Sequence, residues 1–392
     1  MDKIAEILDQ TYSWSKKQGF RGFNKHDGLN SRFLNLFLGW GRWPRIFAIQ
    51  GVMRFPLNLR PLFLTPKTYN PKGISLFVSG LLDRYECEGD DKYLRDAEKL
   101  LKLLITIRSP GQWSGICWGY QYPWQDLNFY APKGLPNAIV TSFVCEAFLR
   151  AYQVTHNQEY LDIVNDSAFF LTKDLPSLWD CDDELCLSYI PGKNEMRVMD
   201  VSILIGAVLA QLGKTTSNTF YSEMADRLVS YVVKRQTSDG AWFYTDPPEQ
   251  SPIKHDNYHT GFILDALDRY LIINKDATLK QAYDKGLMFY AENLFNDDGS
   301  PRWMSDQDYP HDIHGAAQGI LTFSRHADVY PELLTNIINW TINNMYSARG
   351  RFYYQKGRFF TKKFTLLRWC NAWSFKAFAT YRLSYKQDTD LL

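Results

Sequence analysis

Residues 257–267, NYHTGFILDAL, decide the fold of this chain, because their pattern returns at a nearly constant interval. Asn257, His314 and Asn371 stand 57 residues apart, twice in succession. Each opens an apolar run rich in small residues: NYHTGFILDAL, HGAAQGILTF and NAWSFKAFATY. Stepping back along the chain reaches Asp200 (DVSILIGAVLAQL), then Asn137 (NAIVTSFVCEAFL), then the run after Lys72 (GISLFVSGLLDRY), at intervals of 57, 63 and about 64. Six copies of one unit are present, and a repeat of this length settles the architecture before any single motif does.

Each interval also holds a second run of another kind. Tyr93–Ile107, Tyr160–Leu171, Tyr221–Gln236, Leu279–Leu294 and Glu332–Met345 carry apolar residues at helical spacing with charges between them. Ile4–Lys17 supplies the first of this series. The runs after 73, 137, 200, 257, 314 and 371 are apolar almost all round, so they form a buried inner layer with the amphipathic helices outside. Six inner and six outer helices in alternation predict an all-α fold, a closed (α/α)6 toroid. The last repeat ends in an apolar helix that needs the first repeat as its partner, whereas an open solenoid would end in polar caps. Gly240, Gly299 and Gly350 each begin a turn followed by aromatic residues and a polar loop, predicting short β-hairpin-like loops at one end. All six inner helices run the same way. Their N-termini point to that end and favour anionic ligands there.

The repeat argues for one domain over residues 1–392, with 20–72 as a loop-rich insert over the cavity mouth. Some 55 residues separate the first outer helix from the first inner one, far more than a connection needs. With a net charge of +1 and no Lys/Arg block, nothing points to nucleic acid. The start, MDKIAEILDQ, lacks the apolar stretch of a signal peptide, and the longest apolar run, Val201–Leu212, is too short to span a bilayer. A cytoplasmic protein is expected. Six scattered cysteines without CxxC spacing read as free thiols.

Aromatic residues make up 16% of the chain, and their placement matters more than their number. Trp113, Trp118, Tyr120, Tyr122, Trp124, Phe129 and Tyr130 crowd one loop before an inner helix; Trp242–Tyr244, Trp303 and Phe352–Tyr354 occupy later ones. Rings interleaved with Asp, Asn, Gln and Arg suit sugars, which stack by their faces and bond by their hydroxyls. Packing of the end loops is the competing reading.

Three polar constellations carry candidate chemistry. His255-Asp256-Asn257-Tyr258-His259 and His311-Asp312-Ile313-His314 place four of seven histidines at corresponding points of adjacent repeats. His and Asp there can serve as acid, base or ligand, or Asp256 and Asp312 can simply be N-caps. The i, i+4 and i, i+3 histidine pairs permit a metal, but no HExxH context supports one, and no cofactor is expected. The stretch Cys117–Asp126 offers Asp126 as a carboxylate and Tyr120 as a proton donor or base. Asp200 follows Arg197, and the last repeat offers Tyr354, Arg358, Arg368 and Trp369. Arginines facing a cavity suit the carboxylate of an acidic sugar. The N-terminal segment Arg21–Ser31 aims His26 and Asp27 inward, or forms only an Asp27-Gly28 turn.

The ordered motifs HDGLNS (26–31), NLRPL (58–62), NPKG (70–73), WGYQYPWQ (118–125), PNAIVTSFV (136–144), DNYHTGFILDAL (256–267) and YPHDIHGAAQ (309–318) resemble a family of bacterial proteins from polysaccharide-biosynthesis gene clusters. So does the closing GRFYYQKGRFF…RWCNAW, and the resemblance covers nearly the whole chain. Where that family shows a tyrosine-type aromatic before Asp-Gly, this chain has His26. The family is similar in architecture to the six-hairpin glycosidase-like toroids, which include hydrolases, polysaccharide lyases and uronate-epimerase domains. The resemblance implies a role in making exopolysaccharide, capsule or O-antigen, with a carbohydrate as partner.

Three functions compete. A glycan-processing enzyme would use Asp256, His259, Asp312, His314, Tyr120, Asp126 and Asp27 for catalysis. Its substrate contacts would come from His26, Trp118, Trp124, Asn137, Asp200, Asn257, Trp303, Tyr354, Arg368 and Trp369. Hydrolysis would need paired carboxylates; a lyase or epimerase would need a Tyr or His base beside an Arg. A non-catalytic glycan-binding or assembly protein would show the same aromatic cleft without a perturbed acid or base. A metal-dependent toroid acting on a prenyl or peptide substrate would need the histidines to converge.

Overall fold

The structure, a computed structural model, describes residues 3–390, with side chains through 386. In chain order its helices are α1 (Lys3–Lys17), α2 (Arg32–Leu38), α3 (Arg42–Arg54), α4 (Pro71–Glu88), α5 (Asp91–Thr106), α6 (Ala138–Thr155) and α7 (Gln158–Phe169). There follow α8 (Met199–Thr216), α9 (Thr219–Val233), α10 (Asn257–Leu271), α11 (Ala277–Asn293), α12 (Ile313–Ser324), α13 (Pro331–Met345) and α14 (Trp373–Asp390).

Helices α4, α6, α8, α10, α12 and α14 form the inner ring, each packed on the next, and α14 returns to pack on α4. Every residue of α12 is buried, and so is Met199–Ala210 of α8. The outer helices bury one stripe only: in α5 that stripe is Tyr93, Ala97, Leu100, Leu101 and Leu104. Apolar patterning thus sorts the two rings, since each fully buried Leu or Phe contributes roughly 1.5–3 kcal/mol. The closing seam joins residues about 300 positions apart: Asp83 Oδ2 accepts from Lys376 Nζ at 2.8 Å and from Thr380 Oγ1 at 2.6 Å. An (α/α)6 toroid results.

The two ends of the toroid differ. Inner-to-outer turns are minimal: Gly89, His156 and Ser217 take the left-handed conformation, and Asp90, Asn157 and Asn218 at once cap the outer helix. Outer-to-inner connections are long and carry the small strands. Arg197–Val198 pairs with Thr245–Asp246, and Gln355–Lys356 lies between Thr361–Lys362 and His311–Asp312. Gly299 (φ +82°) turns where a Cβ would fall 2.2 Å from the carbonyl carbon of Asn336, so no side chain fits. These connections gather at the N-termini of the inner helices. The insert is more ordered than its composition suggests, because Ser31 caps α2 and the α3 residues Ala48, Ile49 and Val52 bury one face.

Candidate active site

At the start of α10, Asp256 stands in the N-cap position but makes no side-chain cap bond. Its Oδ1 instead accepts from Nδ1 of His259, three residues on, at 2.9 Å. That bond puts the ring proton on Nδ1 and leaves Nε2 as the free acceptor. Nε2 faces Asp200 Oδ2, from the second position of α8, at 4.0 Å. The rings of Tyr258 and Tyr244 wall the imidazole at 4.2 and 4.5 Å. Asp200 Oδ1 and Asp256 Oδ2 are buried without a hydrogen-bond partner. Burial pushes the Asp200 carboxyl above the usual carboxylate range, with His259 and Lys72 opposing.

One repeat on, the same elements are wired otherwise. Asp312 caps α12, accepting from the His314 N–H at 2.9 Å on Oδ1. The same Oδ1 accepts from Trp369 Nε1 at 2.7 Å, and Oδ2 from Gln355 Nε2 at 2.8 Å. His314 is left without a hydrogen-bond partner at either ring nitrogen. It lies parallel to Tyr258 at 4.7 Å and between Trp369 and Trp373 at 4.4 and 4.5 Å. Burial, then Lys72, Arg368 and Lys25, hold its pKa well below the ordinary histidine value, so it is neutral.

Three basic side chains surround this pair of repeats, and burial, then Arg368, holds the pKa of one of them, Lys72, well below the ordinary lysine value. Lys72, second in α4, sits 3.8 and 4.3 Å over the rings of Phe143 and Phe262. Arg368 belongs to a π-helical turn, Arg368–Ala372, that starts the last inner run earlier than the repeat spacing implies. Its guanidinium lies 4.9 Å from the Trp369 ring and 5.7 Å from Tyr120, and its buried Nε has no partner. Lys25 comes from the insert, with Nζ 3.9 Å over Trp369 and 5.3 Å from Trp303. Burial lowers its pKa to about 8.

The backbone behind Lys25 is clamped. Arg60 donates to the carbonyls of Asn24 and Lys25 at 2.7 and 3.1 Å, and Asp27 accepts from Arg60 Nε at 2.6 Å and from the Asn24 N–H at 2.7 Å. Asp27 is therefore spent on positioning Lys25. His26 lies nearly parallel to Trp124, at 6.4 Å. Trp124 also meets Tyr120 and Phe129 edge to face.

Other residues singled out from the sequence take structural places. The fully buried indole of Trp118 donates to the Leu104 carbonyl at 2.7 Å. Asn137 caps α6 through the Val140 N–H at 2.9 Å. Asn257 ties α10 to α11, donating to the Leu294 carbonyl at 2.7 Å and accepting from Tyr290 at 3.1 Å. Tyr354 is buried against Phe364. Asp126 accepts from its neighbour's N–H in a turn, and burial raises its pKa. His255 packs on Phe243 and Phe289 while His311 meets the Pro301 carbonyl, so the paired histidines diverge. Among the described residues no group of three or more His, Cys, Asp or Glu is placed to hold a metal ion.

Sequence reasoning passed over Lys25, Lys72 and Tyr258 as site residues, and named Tyr244 only among the loop aromatics. A signal for two of them was present. Lys72, Asp200, Tyr258 and His314 each occupy the second position of their helix. Reading that one position in every repeat would have found them.

Solved structures share this fold. Cellobiose 2-epimerase from Bacillus thermoamylovorans matches with a TM-score of 0.65 at 13% identity, over 81% of this chain and 88% of that one. The GH76 α-mannanase from Bacteroides thetaiotaomicron matches at 0.62 and 13%, over 81% and 87%. A glycosyl hydrolase family 88 protein from Bacteroides vulgatus matches at 0.60 and 10%, over 98% and 99%. No protein-family model and no curated protein matches the chain.

Proposed function

We propose that the protein is a carbohydrate-processing enzyme that transfers a proton on an acidic sugar, in the manner of a uronate lyase or epimerase, with His259 as the base. The observation that carries this reading is the order Asp256–His259–Asp200. Both carboxylates flank one imidazole, at 2.9 and 4.0 Å. The space between them is filled by that ring, so they do not straddle a glycosidic bond as paired hydrolytic carboxylates must. Asp256 fixes the tautomer and supports the imidazolium that forms on protonation. Asp200, with its raised pKa, can hold or return a proton to Nε2 through one bridging water or a small ring movement, since 4.0 Å exceeds a direct hydrogen bond.

Lys25, Arg368 and the inner-helix N-termini make the surroundings cationic, which suits a sugar carboxylate and the enolate-like charge that develops when its α-proton leaves. Tyr258, Trp303 and Trp369 offer stacking faces. That the solved relatives of this fold include an epimerase and glycosidases supports carbohydrate chemistry as a class. We place the activity in the cytoplasm, on an exopolysaccharide, capsule or O-antigen repeat unit.

The test is proton NMR in D2O with the acidic polysaccharide of the producing cell. Loss of a ring-proton signal without cleavage, or growth of an unsaturated-sugar signal, is expected, and neither should occur with His259→Ala. New reducing ends without exchange would overturn the base assignment in favour of hydrolysis. Line broadening alone would make the protein a glycan binder.

A further inference from the structure

The insert carries an apolar face that none of the described residues covers. In α2, Phe33, Leu36, Phe37 and, just beyond, Trp40 are exposed at i, i+3, i+4 and i+7, while Leu34 alone is buried. In α3, Trp43 and Phe47 are exposed on the side opposite Ala48, Ile49 and Val52. These are not marginal exposures: Trp40 is 76% exposed, Phe47 71% and Trp43 67%. A hairpin from the last repeat extends the face. Its tip holds Phe359, 89% exposed, and Lys362 ties it to the end of α3 through the Met53 carbonyl at 3.2 Å. Two neighbouring helices with large outward rings make a contiguous patch, which a soluble monomer does not ordinarily display.

Charge selects the occupant. From Gly28 to Leu82 the chain has seven Lys or Arg and no Asp or Glu, in a protein whose net charge is only +1. Arg32, Arg42 and Arg54 are exposed at the edges of the apolar face, and Arg358 and Lys363 flank the hairpin tip. A second copy pairing this face with itself would set like charges against each other, and so would a basic partner. Large rings with arginines around them match the interfacial layer of an anionic bilayer. Among the described residues no helix is long and apolar enough to cross a membrane, so the contact is interfacial.

We propose that the insert and the Phe359 hairpin dock the protein on the surface of an anionic phospholipid membrane. Lys25 belongs to the same insert, so docking sets the candidate site at the membrane-facing end, where a membrane-borne sugar is within reach. The docking itself does not depend on the chemistry proposed above, and its test reads binding without turnover.

The experiment is flotation of the full-length protein with vesicles of phosphatidylglycerol and phosphatidylcholine, and with phosphatidylcholine alone. The protein should float with the anionic vesicles, and far less with neutral ones or in high salt. Trp40→Ser/Trp43→Ser/Phe47→Ser should lose roughly tenfold or more of the bound fraction, with an unchanged thermal melt. Should that variant not fold, Arg42→Glu/Arg54→Glu alters only exposed charges and should weaken binding similarly. Wild-type protein that stays at the bottom with anionic vesicles overturns the proposal. So does undiminished binding by the variants, or a dimer in light scattering that the triple variant abolishes while vesicles capture neither form.

Discussion

The N-caps of α10 and α12 hold the same residue and lead to opposite arrangements. Asp256 leaves the N–H groups of its helix uncapped and bonds the His259 ring, whereas Asp312 caps its helix and collects Trp369 and Gln355 as well. One histidine thereby has a carboxylate on each side, bonded at 2.9 Å and facing at 4.0 Å, and the other has no hydrogen-bond partner at its ring nitrogens. A carboxylate at an N-cap has few acceptor sites, and the donors within reach decide where they go. Gln355 and Trp369 come from the following repeat and reach Asp312; among the described residues no corresponding donors reach Asp256. Repetition of sequence thus repeats the backbone position of a side chain without repeating its bonds.

The largest test of this contrast is removal of each histidine. His259→Ala should lower the rate of substrate deuterium exchange by about a thousandfold, as expected for loss of a general base. His314→Ala should lower it by roughly tenfold, through weakened substrate contact alone. Equal losses would break the contrast and make both histidines proton carriers.

Removal of the two aspartates should separate activity from stability. Asp256→Ala should cost about a hundredfold in rate, because the imidazole loses its tautomer and support, with a nearly unchanged urea midpoint. Asp312→Ala should cost roughly 2–4 kcal/mol in urea unfolding, since it removes a cap and strands the Trp369 and Gln355 donors. A stable Asp312→Ala protein would mean that water replaces the carboxylate.

Asp200 sharpens the contrast through pH. Its folded pKa is raised by burial, so the native state holds a proton that the unfolded chain has already released. Stability then falls as pH rises from the ordinary carboxylate value through the raised one, and the penalty is complete above it. Asp200→Asn should remove that dependence and raise stability at neutral pH, while losing activity. A variant that melts lower than wild type at neutral pH would show that the ionised carboxylate is the stabilised form.

The smallest effect concerns Lys25. Its pKa of about 8 implies that the apparent affinity for an acidic sugar weakens as pH rises through that value. In Lys25→Gln the affinity should be a few-fold lower, roughly three- to tenfold, and flat across the same range. A neutral sugar should show no such dependence in either protein.

How much of this could be read beforehand follows the range of each interaction. The outer helices Tyr93–Ile107 and Tyr160–Leu171 show themselves by spacing within a single run, and the structure has them at Asp91–Thr106 and Gln158–Phe169. The insert read as loop, yet it contains α2 and α3. Their residues are apolar on outward and inward sides alike, so no helical stripe marks them. His259 and Asp256 could be paired from sequence because they lie three residues apart. Trp118, expected to face a sugar, is instead buried under Leu104, since nothing local shows whether a ring points inward or outward.

The sequence by itself determined the toroid. Alternation of all-apolar and amphipathic runs at a steady interval leaves two rings of helices as the way to bury both, and it brings six helix N-termini to one end. Only the tertiary structure decided what those termini hold. Asp200 meets His259 across 59 positions, Trp369 meets Asp312 across 57, and Lys25 reaches the Trp369 ring from the far end of the chain. The first two join neighbouring repeats and the third depends on the clamp of Arg60 and Asp27; the repeat interval places the backbones, but only packing brings these side chains together. The same physics that makes helices legible, near neighbours in fixed geometry, is silent about groups that become neighbours only after folding.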